Sequence, residues 1–565
     1  MKRYIKTTIL LMLLLPMAFS CKKSILDEKA LSFLSPNALK DKSAYESVLV
    51  SLHASARDEF FKTDGRERYS MVIGTDLARI GDPGLNEWRD YNIEITPSGR
   101  TSNYWWNWGF IDMLPKANII ISNVQSATTI SQDDKNAIEA EARFFRAFAY
   151  NALVNMFGGV PIVDRYISEP KNDFVRASKD EVYTFAQKDL EFAVQHLPAT
   201  AAQRGRITKA AANHLLSEVN ISLKQWDKAI AAASAVIDNP AYKLMQQNER
   251  FGKYRDSAGT NIFWDLFREG NYNSSTNKEA IWVYQLEFGT LGGSTTAGNL
   301  GNGSSGGNYY RALARWFDAK DPENRDGMTR QGPVALTTTN RFGDRVGDSL
   351  TRGVGWLRPT NYWVYDVWND PNDIRNSNSN VRRKWYYNNP TSAFRGQEVM
   401  THAFLDTMFH IYPIPTKFDG LNPAGFGQQG TNQDFYRMRL AETYLLRAEA
   451  YLGKGDKAAA AADINAVRTR AGAAPVASAD VTIDYILDER ARELFMEEPR
   501  RRTLVRLGKL VERTQMYNSY LAGSPGSPGS LGPGATIQAK HELLPIPQAT
   551  IAANTGAVLQ QNPGY

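Results

Sequence analysis

ANHLLSEVNISLKQWDKAIAAASAVI (212–237) and AETYLLRAEAYLGKGDKAAAAADINA (441–466) are one pattern written twice. Ala212 aligns with Ala441, Leu216 with Leu445, Val219 with Ala448 and Leu223 with Leu452. Asp227-Lys228-Ala229 then aligns with Asp456-Lys457-Ala458, and Ala231-Ala232 with Ala460-Ala461. Apolar residues recur at helix spacing on both sides of a short turn. The second arm of each copy is rich in alanine, and small residues let paired helices approach closely. Each copy therefore predicts a helical hairpin of tetratricopeptide type. The copies are too far apart to be consecutive repeats, so folding has to bring them together around whatever lies between.

Further helices surround the hairpins. Phe145, Ala149, Ala152 and Met156 keep helix spacing until Gly158-Gly159-Val160-Pro161 stops them. Ser178-x-x-Glu181 has the form of a capping box, and Val182, Ala186, Leu190, Ala193 and Leu197 form one apolar face behind it. From about residue 250 to 434 this rhythm fails, and Gly, Asn, Pro and aromatic residues dominate. GTLGGSTTAGNLGNGSSGGNYY (289–310) cannot pack a core and is read as a loop. Ala280-Ile281-Trp282-Val283-Tyr284 has the composition of a strand. GSPGSPGSLGPG (523–534) is a second loop.

The N-terminus is organised differently. Lys2, Arg3 and Lys6 form a basic end, Thr7 to Leu15 an apolar run, and Ala18-Phe19-Ser20 a set of residues before a cut. That is the layout of an export signal, and its apolar run is too short to span a bilayer. Cys21 follows, the single cysteine of 565 residues, so no internal disulfide and no cysteine-based metal cluster can form. An ordinary signal peptide would leave Cys21 a free thiol. A lipoprotein signal would make it the acylated first residue of the mature chain, and this reading is preferred. Several acyl chains anchor stably where one does not, at about 0.8 kcal/mol per buried methylene. Lys22 to Pro36 then reads as a polar tether. Losing Lys2, Arg3 and Lys6 reduces the formal charge from +6 to +3, which gives no reason to expect nucleic acid as a partner.

Four stretches together resemble the SusD/RagB family of outer-membrane nutrient-uptake lipoproteins. They are CKKSILDE (21–28), EARFFRAFAYNALVNMFGGVPIV (141–163), YRMRLAETYLLRAEAYLGKGDKAAAAADINAVRTRAG (436–472) with DERARELFMEEPRRR (488–502), and LLPIPQ (543–548) with QNPGY (561–565). The resemblance implies a mainly α fold, in which tetratricopeptide-like hairpins carry a loop-rich, irregular ligand-binding region with short strands. The expected layout is a signal peptide over 1–20, a lipidated tether over 21–40 and one SusD-like domain over 41–565. Its helical scaffold would cover about 41–250 and 435–520, and its irregular insertion about 251–434. The resemblance also implies no catalysis and no cofactor. It implies a surface lipoprotein, anchored in the outer membrane through Cys21, that captures oligosaccharides or peptides. These would pass to a SusC-like TonB-dependent transporter barrel.

Sugar capture needs flat, rigid, amphipathic rings, which tryptophan and tyrosine supply. Trp105, Trp106 and Trp108 precede a helical pattern and Trp282 lies in the strand-like run, so these four are expected in the core. Residues in polar, turn-rich surroundings are the better ligand contacts. Asn86 and Trp88 follow the turn signal Gly81-Asp82-Pro83-Gly84, a region from which family members often draw a ligand residue. Trp356 and the pair Tyr362-Trp363 flank Pro359, and Tyr309 closes the glycine-rich run. His402-x3-Asp406-x3-His410 has metal spacing on a helix, but the alternation and prolines of THAFLDTMFHIYPIP (401–415) favour a strand, so no metal is expected. Glu489, Arg490, Arg492, Glu493 and Glu497 are read as a charged solvent face, with Asp488 and Arg492 four apart. A surface glycan-degrading enzyme and a purely protein-binding scaffold are the alternatives. The first would need two carboxylates facing across a cleft. The second would lack an aromatic platform.

Overall fold

The computed structural model describes residues 38–61, 67–82, 88–287, 313–328, 355–400, 409–417, 433–519 and 532–565, with positions 290, 293 and 353 besides. Cys21, Asn86, Tyr309, His402 and Asp406 lie outside the described residues. Among the described residues the fold is mainly α, with few short strands and no barrel.

Its frame is a succession of helices: α1 (Lys42–Phe61), α2 (Arg100–Asn107), α3 (Leu114–Asn123), α4 (Gln132–Phe157), α5 (Lys179–His196), α6 (Lys209–Ser222), α7 (Trp226–Ile237), α8 (Leu440–Lys454), α9 (Lys457–Arg470), α10 (Ile483–Leu494), α11 (Arg500–Arg506), α12 (Leu510–Tyr517) and α13 (Gln548–Ala553). Helix α4 is the axis, buried along nearly its whole length from Ile138. It starts at Ser131, whose hydroxyl accepts the Asp134 N–H at 3.2 Å, and stops at Gly158, whose φ of 73° only glycine adopts freely. The chain end satisfies the carbonyls left over at its C-terminus. Leu544 N donates to Met156 O at 2.7 Å, and Asn562 Nδ2 donates to Phe157 O at 3.0 Å. The capping box of α5 is present, with Ser178 and Glu181 exchanging side-chain-to-backbone bonds.

Helices α6–α7 and α8–α9 are the two hairpins that the repeat predicts, and they pack on each other through α7 and α8. Ile221, Ala229, Leu446 and Ala450 form a small core between them, with Trp226 against it. A Cβ on Gly453 would stand 2.7 Å from the Trp226 ring, so glycine there is what lets the hairpins close.

Between the hairpins the described chain holds short strands, helical turns and one five-residue helix, Ile262–Leu266. Three two-stranded antiparallel sheets tie it down: β1 (Ala78–Ile80) with β3 (Leu357–Pro359), β2 (Ala280–Tyr284) with β6 (Phe435–Arg439), and β4 (Val381–Arg382) with β5 (Ile414–Pro415). Trp105, Trp106, Trp108 and Trp282 are all core residues.

The charged run after Asp488 does not face solvent. Glu489 and Glu493 are fully buried, and Arg490, Arg492 and Glu497 nearly so. Partners from distant segments make this possible. Arg375 Nη1 stands 2.7 Å from Glu489 and 2.9 Å from Glu493. Arg468 reaches Glu489 at 3.0 Å, Arg439 reaches Glu497 at 2.9 Å, and Arg470 reaches Glu279 at 2.7 Å. Asp488 pairs with Arg513 and Arg492 with Glu489, in place of the expected Asp488–Arg492 pair. The network joins α9, α10 and β6 to the turn at Asp373–Arg375, and so fixes the irregular region to the helical frame.

Candidate ligand-binding site

The β1–β3 pairing creates the site. Ile80 stands opposite Leu357, and Gly81 N donates to Trp356 O at 2.9 Å, so residues far apart in sequence are held side by side. The turn before β1 rests on buried charge. Asp76 accepts from Arg500 Nη2 at 2.6 Å and from Arg513 Nε at 2.8 Å. Burial alone would raise the Asp76 pKa, but the two guanidiniums overcome it and hold the carboxyl below its usual range. The Asp76 carbonyl also accepts the Thr360 hydroxyl at 2.7 Å, which locks the end of β3 to the same turn.

Trp88 enters from the other side with a φ of 61°, a left-handed conformation that is strained for a bulky residue. Its ring meets the edge of Tyr91 at 5.8 Å, and the Arg501 guanidinium lies 5.6 Å from the ring centre. Gly74 leaves room for it, since a Cβ there would come within 2.8 Å of the indole. Arg501 Nη1 donates to the Tyr91 hydroxyl at 3.1 Å and Nη2 to His541 O at 3.1 Å, which holds the guanidinium behind Trp88.

Trp88 and Trp356 line one cleft of about 220 Å³ with Tyr69, Ile73 and Ile80. Trp356 is half-buried and meets Tyr69 edge-on at 5.6 Å. The rim is polar and charged: Glu67, Glu94 and Arg100, with Ile93 beside them at 72% exposure. Arg100 Nε pairs with Glu67 at 2.8 Å, and Glu94 accepts the Thr101 hydroxyl at 2.7 Å. The cleft is smaller than the roughly 300–1,000 Å³ of ordinary ligand cavities. It suits one cyclic unit of a larger molecule, stacked on apolar rings with its edge towards hydrogen-bonding groups.

The sequence candidates divide. Trp88 and Trp356 meet at this cleft, where Trp356 keeps part of its ring open and Trp88, only 3% exposed, backs the wall. Tyr362 and Trp363 do not reach it. Trp363 is 2% exposed, stacks on Phe495 at 4.2 Å and donates Nε1–H to Ala491 O at 3.0 Å. Tyr362 stacks on Tyr517 at 3.9 Å and bonds Asp488. Both belong to a π-helical turn, Tyr362–Asp366, that packs on α10 and α12, so neither offers a ring face to a ligand. Sequence reasoning missed Glu67, Tyr69, Ile93, Glu94 and Arg100. They carry no motif, and Ile93, an apolar residue at a polar helix end, was the one local irregularity.

Comparison with known proteins agrees with the fold. The family model described as "SusD family" matches residues 354–565, and the one described as "Starch-binding associating with outer membrane" matches 26–221. SusD-like protein P2 of Formosa agariphila is 24% identical over 100% of both chains. The starch-binding protein SusD of Bacteroides thetaiotaomicron is 28% identical over 75% of this chain and 72% of its own. A crystal structure of a SusD homolog from Bacteroides thetaiotaomicron superposes with a TM-score of 0.67, at 18% identity, covering 94% of this chain and 98% of that one. Both halves of the chain, the frame and the paired hairpins therefore lead to one assignment: the chain belongs to the SusD/RagB family.

Proposed function

We propose that the protein is a carbohydrate-binding component of nutrient uptake that captures oligosaccharides in the Trp88–Trp356 cleft. The observation that carries this reading is the convergence of two tryptophans from distant segments on one surface cleft, with Glu67, Glu94 and Arg100 at its rim. The open part of the Trp356 indole stacks on the C–H side of a sugar ring, with Trp88 behind it in the wall, and the charged rim bonds the hydroxyls. Asn86, two positions before Trp88, and Tyr309 complete the proposed contacts. The starch-binding name of one relative and the family description support a glycan over a peptide. Both rim carboxylates are already engaged, which suits capture better than acid–base chemistry on the bound sugar.

In the full proposal Cys21 carries the lipid anchor, the chain faces outward from the outer membrane, and a SusC-like TonB-dependent barrel receives the ligand. No helix among the described residues is long and apolar enough to cross a membrane. Anchoring beside a barrel raises the effective concentration of captured ligand, so modest affinity suffices.

The test is an oligosaccharide and peptide binding screen of the exported chain, with Trp356→Ala and Arg100→Ala beside it. Trp356→Ala should weaken glycan binding about tenfold or more, the loss of roughly one stacking contact. A glycan that binds Trp356→Ala as tightly as the parent would overturn the site. A screen in which only peptides bind would overturn the ligand class.

A further inference from the structure

A second cavity, sharing no residue with the first, opens between α2, the segment after α4 and α13. Its volume is about 440 Å³, within the range of ligand-binding cavities. Trp106, Phe110, Leu114, Val163, Phe174 and Leu559 give it apolar walls. The polar side chains set deepest in it are already satisfied. Asn118 donates to Val163 O at 2.9 Å and accepts from Arg146 at 2.8 Å. Asn554 accepts from Phe174 N at 2.8 Å and donates to Phe174 O at 2.8 Å. The interior therefore offers a ligand mainly apolar surface.

The rim has a different character. Arg165 and Lys171 line it, and no Asp or Glu does. Asp173 neutralises Lys171, whereas Arg165 is exposed and has no partner among the described residues. Asp164 and Glu169 flank it in sequence without lining the cavity. Around this opening the protein exposes apolar side chains that it buries elsewhere. Ile111 and Ile167, which both line the opening, are 71% and 37% exposed. Exposed apolar surface gathered at one opening marks a binding surface. Phe110 and Ile111 stand on a π-helical turn, Trp108–Met113, inserted between α2 and α3. Such turns occur frequently at functional sites.

We propose that this cavity binds an amphiphile with an apolar tail and an anionic head, of the fatty-acid class. The tail fills the apolar interior, and the head meets the Arg165 guanidinium at the rim. The site is separate from the oligosaccharide cleft and does not depend on it.

The test uses the exported chain with Cys21→Ser, so that no anchor lipid competes. Calorimetric titration compares three probes of one chain length, each below its micelle concentration: dodecanoate, dodecyl maltoside and dodecyltrimethylammonium. Dodecanoate should bind saturably at one site, and the cationic probe at least tenfold more weakly. Arg165→Glu should weaken dodecanoate at least tenfold, and Ala553→Trp, which fills the opening from an exposed position of α13, should abolish its binding. Both variants should keep the parent's thermal midpoint, because both positions are exposed. Absence of saturable binding, equal binding of all three probes, or dodecanoate affinity unchanged by either variant would overturn the proposal. Loss of glycan binding in Trp356→Ala with dodecanoate binding intact would confirm that the two sites stand or fall separately.

Discussion

Trp356 and Trp363 stand seven positions apart, and their surroundings diverge. Trp356 precedes β3 and keeps part of its ring in the cleft. Trp363 lies on the turn that follows β3 and is enclosed by α10. Trp363→Ala should therefore destabilise the protein by about 3–5 kcal/mol, because it opens a large cavity and strips the Ala491 carbonyl of its donor. Urea unfolding measures this. Glycan affinity per folded molecule should stay within twofold of the parent, whereas Trp356→Ala should do the reverse. If Trp363→Ala loses affinity with full stability, the placement of the ligand surface is wrong. A sequence gives the ring and its polar neighbours but not which side of a turn meets the core. Trp88, Trp356, Tyr362 and Trp363 share the same turn-rich neighbourhood, and nothing in it says that only Trp356 keeps its ring partly open while the other three are packed into the core.

At the scale of elements, small residues were the most legible signal. Ala229 and Ala450 give no side-chain bulk to the contact between the hairpins, and Gly453 gives none at all. Gly453→Leu should force the Trp226 ring aside and destabilise the fold by about 1–3 kcal/mol. Trp226→Ala in the same chain should recover part of that loss, because it empties the space the leucine needs. A double-mutant cycle by urea unfolding checks this, with a coupling of about 0.5–3 kcal/mol expected for residues in contact. Strict additivity would show that the hairpins do not meet through this pair. The capping box at Ser178 and the stop at Gly158 were readable for a related reason. The capping box satisfies backbone groups of its own helix, and the stop needs only the positive φ of a glycine, although the chain end then satisfies the last α4 carbonyls. The β1–β3 pairing was not readable, since three-residue strands joined across almost 280 positions leave no periodicity to detect.

For the molecule as a whole, the buried charges decide how it responds to pH. The run after Asp488 looked like a solvent face because its partners, Arg375, Arg439 and Arg468, come from segments that only folding assembles. Burial alone would raise the Glu489 pKa, but Arg375, Arg492 and Arg468 outweigh it and hold the carboxyl down at about 2. Glu141, buried against His53 and Arg206 between α1 and α4, is also held at about 2. A carboxyl depressed in the folded state contributes stability that is complete above its unfolded pKa, about 4.5, and is lost as pH falls towards 2. Glu287 works in the opposite sense. Burial first, and then the nearby Asp434 carboxylate, push it up to about 7, so the folded state gains stability as pH falls from about 7 to 4.5. The urea midpoint should therefore rise slightly from pH 8 to about 5 and drop steeply below about 4.5. Glu287→Gln should flatten the neutral limb and leave the acid limb unchanged. Glu489→Gln should lower stability at pH 7 by about 3–5 kcal/mol, because it leaves buried guanidiniums unpaired, and should make the acid limb shallower. An acid limb as steep in Glu489→Gln as in the parent would mean that the network joining the irregular region to its frame is not what acid dismantles.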